Sequence, residues 1–211
     1  RRRDAGSGRH HDRRRAMSGF VRRNAWVIGL FVLLAALLVL TRIIQPSYGS
    51  AGIVGLVSAA LPFAFAVAAQ TVVVIAGGID LSIASMMALT SVTAAVLMDG
   101  ASPEFAIVAV GLVLLLGLCL GAINGALIVV TRVPDIVVTL AMLFVWQGAA
   151  LLVLPSPGGA AADWLKAMVV GTVSIPGVPS EITQWIPRGL VLLVACLAAV
   201  FIPLYRSRLG L

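Results

Sequence analysis

The residues best suited to chemistry lie in one short polar string, GGIDLS at residues 77–82, within a very apolar stretch of sequence. Gly77 and Gly78 allow a turned or unwound backbone, because glycine lacks a Cβ. Asp80 can then cap the helix that follows and interact with the positive end of its dipole. Alternatively, Asp80 lies in or beside a polar pathway, because an acidic group inside a membrane is costly and usually serves function.

Hydroxyl and amide groups accompany this acid. Ser82 and Ser85 are three residues apart and share one helical face, where they bond either to a solute or to a carbonyl one turn back. Asn124 offers both a donor and an acceptor. We favour a hydrogen bond between helices for it over a contact with a hydroxylated solute from a pore wall. Gln147 is costly when it faces lipid, so we expect it to face protein or a cavity.

A glycine pattern indicates helix packing, and the absence of several motifs argues against an ATP, catalytic or metal site. Gly117, Gly121 and Gly125 have the four-residue spacing that lets another helix approach closely, so we predict that they serve helix packing. The sequence has no GxxxxGK(S/T) motif for ATP, and its apolar segments carry no Ser-His-Asp or metal-ligand cluster. We therefore predict no catalytic residue, no metal site and no cofactor bound by this chain.

The elements that position these residues must be membrane helices. Of 211 residues, 61% are hydrophobic and only 11% are charged, whereas an average soluble domain carries about 25% charged residues. This composition excludes a soluble globular protein, and it also excludes a disordered chain, because disordered chains are poor in apolar residues. An integral membrane protein remains.

Charge-poor segments show where the chain crosses the bilayer, since a spanning helix needs about 20 apolar residues. We predict an all-α, polytopic transmembrane helical bundle of about six spans, near residues 24–41, 51–76, 82–98, 105–130, 136–154 and 188–205. The segment 155–187 holds half of the ten prolines and is predicted to be a loop, with a short interfacial turn at 163–166. It serves either as a connector or as a dock for an extracytoplasmic partner.

The charge pattern suggests an orientation. Nine of the 15 basic residues precede the first apolar segment, which predicts a basic cytoplasmic tail at 1–23 and a membrane domain at 24–211 with loop 155–187 outside. Binding of this tail to anionic lipid is a second interpretation, whereas nucleic-acid binding is not expected because the rest of the chain has no basic face. Met17 opens a plausible start, so residues 1–16 are expected to be an upstream extension or part of a fragment.

Three strings together resemble a known family. The string AGGIDLSIAS at 76–85 closely resembles a signature of bacterial ABC sugar-importer permeases of the ribose, xylose, arabinose and rhamnose type. The string GAING at 121–125 is similar to the family's G-x-x-N-G, and VPDIVVTL at 133–140 is similar to its P-x-I-V-T-L segment. Ala84 and Asp135 depart from the pattern, where the family usually has glycine and an apolar aromatic residue.

The resemblance implies a multi-pass subunit of the bacterial plasma membrane, with a cytoplasmic N-terminus, that forms a path for a sugar or sugar-like solute. It implies separate cytoplasmic ATP-binding subunits that bind ATP and Mg²⁺, an extracytoplasmic solute-binding protein, and a second permease subunit in the same lipid bilayer. The residues that become candidates for the path are Gly77, Gly78, Asp80, Ser82, Ser85, Asn124 and Gln147.

Other functional classes stay open at this point. A secondary transporter or channel also suits a helix broken at glycines. The family's permeases carry further spans beyond the point that corresponds to Leu211, so we expect an N-terminal fragment, and an inactive or structural membrane fragment is a third interpretation.

Overall fold

The computed structural model describes residues 24–174, 176–177, 179, 183 and 186–206. Within these residues the chain forms helices and no strand, so the all-α prediction is confirmed. The helices are α1 Ala25–Ile44, α2 Ser50–Ile75, α3 Ile83–Met98, α4 Pro103–Thr131, α5 Asp135–Val153, α6 Asp163–Val170 and α7 Arg188–Arg206. The six longer helices coincide closely with the six predicted segments, whereas the predicted basic tail at 1–23 lies outside the described residues.

Four of these helices, α1, α2, α4 and α5, are long and apolar enough to cross a membrane. Helix α3 has 16 residues and is therefore about 24 Å long, which is shorter than a hydrocarbon core of about 30 Å. The apolar part of α7, Arg188–Pro203, is also short. Crossing by α3 and α7 stays a prediction.

The chain divides into two compact units, residues 1–52 and 53–211. In the described part of the first unit, α1 ends in a turn that its own side chains organise. The Arg42 guanidinium donates to the backbone carbonyl of Tyr48, and the Tyr48 hydroxyl donates to the carbonyl of Gly52 at 3.0 Å. The Tyr48 ring lies over Gly52, where a Cβ would come 2.5 Å from a ring carbon, so only glycine fits there.

In the second unit, α3 packs chiefly against α5 and α4, and we call these three helices the α3–α5 body. Its centre is a cluster of the buried residues Leu89, Leu120 and Ala150. Its far end, where α3 stops and α4 starts, is a second cluster formed by Met98, Ala106 and Ala109. The small alanines let the helices approach closely and leave a surface that α6 covers.

The loop 155–187 contains more structure than the sequence predicted. The expected turn at 163–166 is the start of an eight-residue helix, α6, whose Trp164 packs against the far-end cluster. Helix α6 also packs against α7, and Arg188 donates its Nε–H to the carbonyl of Thr172 at 2.8 Å. These contacts hold the loop against the far-end cluster and against α7.

Candidate functional site

The candidate site is built around residues 76–82, which separate α2 from α3 and which we call the glycine break. Gly77 has a positive φ of 86°, a conformation that side-chain-bearing residues rarely adopt. Its N–H donates to the carbonyl of Val74 at 2.9 Å, and the N–H of Gly78 donates to that of Val73 at 3.0 Å. This pair of bonds is a Schellman motif, which explains why glycine ends α2 here.

Asp80 forms hydrogen bonds with the residue that precedes α3. One carboxylate oxygen of Asp80 accepts two hydrogen bonds from Ser82, from its N–H at 2.8 Å and from its hydroxyl at 2.6 Å. The backbone bond spans two residues, the geometry of an Asx turn, and Ser82 immediately precedes α3. Asp80 thus bonds to the residue before α3, whereas no side-chain bond from the described residues caps this helix, so the predicted capping by Asp80 is not found. A role of Asp80 in a solute path stays a prediction.

Through its hydroxyl, Ser82 also links Asp80 to side chains of α4 and α5. Asn124 of α4 donates its side-chain N–H to the Ser82 hydroxyl at 2.7 Å, and Trp146 of α5 donates its indole N–H to the Asn124 carbonyl at 3.2 Å. We call these four residues, including Asp80, the Asp80 network. Ser82 is 0% exposed and Asn124 is 3% exposed. The buried polar groups therefore satisfy one another, as buried networks must to be stable.

A second carboxylate reaches the glycine break from the first turn of α5. The Asp135 carboxylate accepts the backbone N–H of Ile79. The hydroxyl of buried Thr139 donates to the Asp135 carbonyl at 2.8 Å and lies 3.4 Å from the Ile79 carbonyl. A Cβ on Gly78 would lie 3.2 Å from a carboxylate oxygen of Asp135, so Gly78 leaves room for this approach.

The turn between α4 and α5 brings Asp135 to this position. Helix α4 is followed by Arg132, which has a left-handed φ of 56°; a residue in this conformation commonly follows the last turn of a helix. Pro134 then adopts an extended conformation and is followed directly by Asp135 as the first residue of α5. The short turn therefore places the first turn of α5 beside the start of α3.

The other predicted polar residues lie apart from these contacts. The buried Ser85 hydroxyl donates to the Ser82 carbonyl at 2.8 Å, so it bonds one turn back along its own helix. Gln147 is exposed on α5 and makes no hydrogen bond with the described residues. Its expected protein or cavity partner is therefore not found within the described part of the chain.

The glycine pattern on α4 faces α3 over part of its length. A Cβ on Gly117 would lie 3.8 Å from Thr90, and a Cβ on Gly121 would lie 3.9 Å from Met86. Both positions are at ordinary contact distance from α3, in keeping with the predicted packing. Gly125 has open space around it in the described chain, so no described residue packs on it.

A cavity of about 340 Å³ lies beside the Asp80 network. Met86 separates the two, because its sulfur lies 3.4 Å from the Ser82 hydroxyl and 3.6 Å from the Asn124 nitrogen, while the same side chain lines the cavity. The remaining lining residues come from α2, α3 and α4, and they are Pro62, Phe65, Ala66, Ala69, Ile83, Met87, Thr90 and Gly117. Because this lining is nearly all apolar, the cavity suits apolar groups better than hydroxyl groups.

Sequence reasoning missed two of the residues at the site. It treated Asp135 as a departure from the family pattern, and it assigned a contact to neither Asp135 nor Trp146. Asp135 bonds to a residue 56 positions away, and Trp146 to one 22 positions away. The spacing of residues along the chain does not predict contacts over such separations. The available signal was that an acid just after a proline and an indole N–H inside an apolar helix both require a hydrogen-bond partner.

Comparisons with known proteins found similarity over most of the chain. Residues 52–211 match a family model described as "Branched-chain amino acid transport system / permease component". The "Autoinducer 2 import system permease protein LsrD" of Escherichia coli (strain K12) is 31% identical over 147 residues, which is 66% of this chain and 41% of that protein. The protein of the same name from Shigella flexneri matches to the same extent. The chain thus spans about two fifths of the length of these curated relatives, and no solved structure matches it.

Proposed function

The chain belongs to the branched-chain amino acid transport system / permease component family, and from this premise we propose that it acts as the membrane-spanning subunit of an ATP-driven importer for a sugar or sugar-like solute. The observation that carries this proposal is the family match over residues 52–211. The relatives named as permeases of an autoinducer 2 import system support an importer. Four long apolar helices support a membrane subunit.

In this proposal the chain performs no bond chemistry. Separate cytoplasmic ATP-binding subunits bind ATP and Mg²⁺, and an extracytoplasmic binding protein delivers the solute near loop 155–187. The permease contributes two conformations that expose the path to opposite sides, and ATP binding shifts the balance between them. The N-terminus lies in the cytoplasm of a bacterium, and the chain lies in its plasma membrane.

The burial of the polar residues divides the path candidates into two groups. Ser82, Ser85 and Asn124 are buried and bonded to other residues of the chain, so we assign them to the framework behind the path. Gln147 is exposed on a helix long enough to cross the membrane. Its amide is costly in lipid, so we place it against the second permease subunit or the solute path between the two subunits.

The test is reconstitution of the full chain in lipid vesicles with ATP-binding subunits and a solute-binding protein from the same bacterium. We expect uptake of one of a panel of radiolabelled ribose, xylose, arabinose, rhamnose and autoinducer 2, and we expect it to require ATP. Uptake driven by an ion gradient without ATP, and no association with an ATP-binding subunit, would instead identify a secondary transporter.

A further inference from the structure

The glycine break is held at two adjacent points by side chains from other helices. At Asp80 and Ser82 the holding partners are Asn124 and, through it, Trp146. One residue earlier, the backbone N–H of Ile79 bonds to the Asp135 carboxylate, which we call the Asp135 contact. The same segment is therefore bound to the middle of α4 and α5 and, separately, to the first turn of α5.

The two points differ in strength and in access to solvent. The Asp80 network is a chain of four hydrogen bonds whose two central residues, Ser82 and Asn124, are buried, while Asp80 and Trp146 are partly buried. The Asp135 contact is one hydrogen bond to an exposed backbone N–H, since Ile79 is 43% exposed, and the only other described side chain at this point is Thr139, whose hydroxyl lies 3.4 Å from the Ile79 carbonyl. An exposed hydrogen bond opens at lower cost than a buried network. The Asp135 contact is thus the point at which the break separates first.

The surroundings of the break allow such a separation. No atom of the described residues lies within 4 Å of where a Cβ on Gly77 would be, so within this part of the chain the α2 side of the break has space to move. Ser82, in contrast, is fully buried. If the Asp135 contact opens, residues 76–79 can change position while the α3–α5 body stays intact.

The position of the contact relates this motion to transport. The Asp135 contact joins the α2–α3 connection to the α4–α5 turn, and α6 lies at the opposite end of the α3–α5 body. With a cytoplasmic N-terminus, six crossings put both of these connections on the cytoplasmic side. That is the side on which ATP-binding subunits act.

We propose that Asp135 is a positioning residue for transport, whose carboxylate holds the glycine break against α5 and releases it when ATP binds to the partner subunits. This inference rests on the proposed function. Thr139 supports the carboxylate by bonding to the Asp135 carbonyl, and Gly78 supplies the space for its approach. ATP binding then changes the position of residues 76–79 and leaves the Asp80 network closed.

The experiment is hydrogen–deuterium exchange of the full chain in lipid nanodiscs, alone and with its ATP-binding subunits. Asp135→Leu removes the acceptor, whereas Asp135→Asn keeps one oxygen acceptor and should restore most of the protection. We expect the Ile79 amide to exchange about tenfold faster in Asp135→Leu. The control is Asp99→Leu, which changes an exposed acid that makes no hydrogen bond with a described residue and should leave Ile79 exchange unchanged.

A second comparison separates release during transport from a fixed structural contact. In the wild-type assembly, a non-hydrolysable ATP analogue should raise exchange at Ile79, and in Asp135→Leu it should add nothing further. Equal Ile79 exchange with and without the analogue in the wild type would overturn the proposal, as would unchanged exchange in Asp135→Leu.

Two further measurements apply if Asp135→Leu does not fold or if no ATP-binding subunit associates with the chain. If Asp135→Leu does not fold, Gly78→Ala replaces it, because the added Cβ would crowd the Asp135 carboxylate and should also speed Ile79 exchange. If no ATP-binding subunit associates with the chain, the proposed function fails. Exchange in the chain alone then still shows whether Asp135 holds Ile79.

Discussion

The two ends of the α3–α5 body are held together by different chemistry. At the end where α3 and α5 begin, the contacts are hydrogen bonds made by Asp80, Asn124 and Asp135. At the end where α3 stops and α4 begins, the contacts are apolar, with Met98 and Ala106 packed beneath Trp164. We call these the polar end and the apolar end.

This difference suggests which end moves. Apolar packing between helices is non-directional and is lost only when the surfaces separate. Hydrogen bonds fix one geometry but can exchange partners, especially where a group has access to water. In membranes, packing and interhelical hydrogen bonds together drive helix association. We therefore expect the apolar end to act as a fixed support and the polar end to hold the part that rearranges.

The largest expected effect is at the centre of the polar end. Asn124→Leu removes two hydrogen bonds and leaves the Trp146 indole N–H without its acceptor. We expect the free energy of unfolding, measured by SDS titration in mixed micelles, to fall by about 2–3 kcal/mol. The matched control is Gln147→Leu, an exposed amide on α5, for which we expect a change within about 0.5 kcal/mol. Equal losses in the two variants would refute the importance of the Asp80 network.

An intermediate effect is expected at the apolar end. Ala106 is 0% exposed, so Ala106→Leu overpacks the contact and should lower the free energy of unfolding by about 2 kcal/mol. Ala126→Leu, on an exposed position of the same helix, is the control and should have little effect. Deuterium exchange at Ile79 should stay at the wild-type rate in Ala106→Leu; a clear increase there would show that the two ends are not independent.

The smallest effect is expected at Ser85, although this residue is buried at the polar end. Among the described residues its hydroxyl bonds only to the Ser82 carbonyl, which also accepts the backbone N–H of Met86 at 2.9 Å. Ser85→Ala should therefore cost only about 0.6 kcal/mol, compared with Ser91→Ala at an exposed position of the same helix. A loss as large as that of Asn124→Leu would place Ser85 within the network after all.

The sequence predicted the helices more completely than the contacts at the two ends of the α3–α5 body. The helices were predicted well, because a long apolar segment without charge has few alternatives to a membrane helix. For Asn124 a hydrogen bond between helices was favoured, and the bond that it accepts from Trp146 of α5 is of this kind. The extent of α6 was underestimated, since prolines mark where a helix is interrupted but not how far one extends between them.

The Asp135 contact lay beyond sequence reasoning for a physical reason. The contact joins a side chain to a backbone N–H that has no helical partner because the glycine break ends α2. Neither residue type nor spacing in the sequence shows that this N–H needs an acceptor. The spacing of Gly117, Gly121 and Gly125 likewise predicted close packing but not the neighbour. Gly117 and Gly121 face α3, whereas Gly125 faces open space.

The most direct test of the central claim, that the glycine break moves at the polar end while the Asp80 network and the apolar end stay fixed, is a distance measurement by electron paramagnetic resonance. Cys119 and Cys196 are both exposed and would first be replaced by alanine. One spin-label pair, at Ile79 and Ile136, reports on the polar end, and a second pair, at Asp99 and Asp163, reports on the apolar end. In the full assembly we predict that an ATP analogue changes the distance in the first pair and leaves the second unchanged. A change in the second pair with a constant first pair would contradict the account.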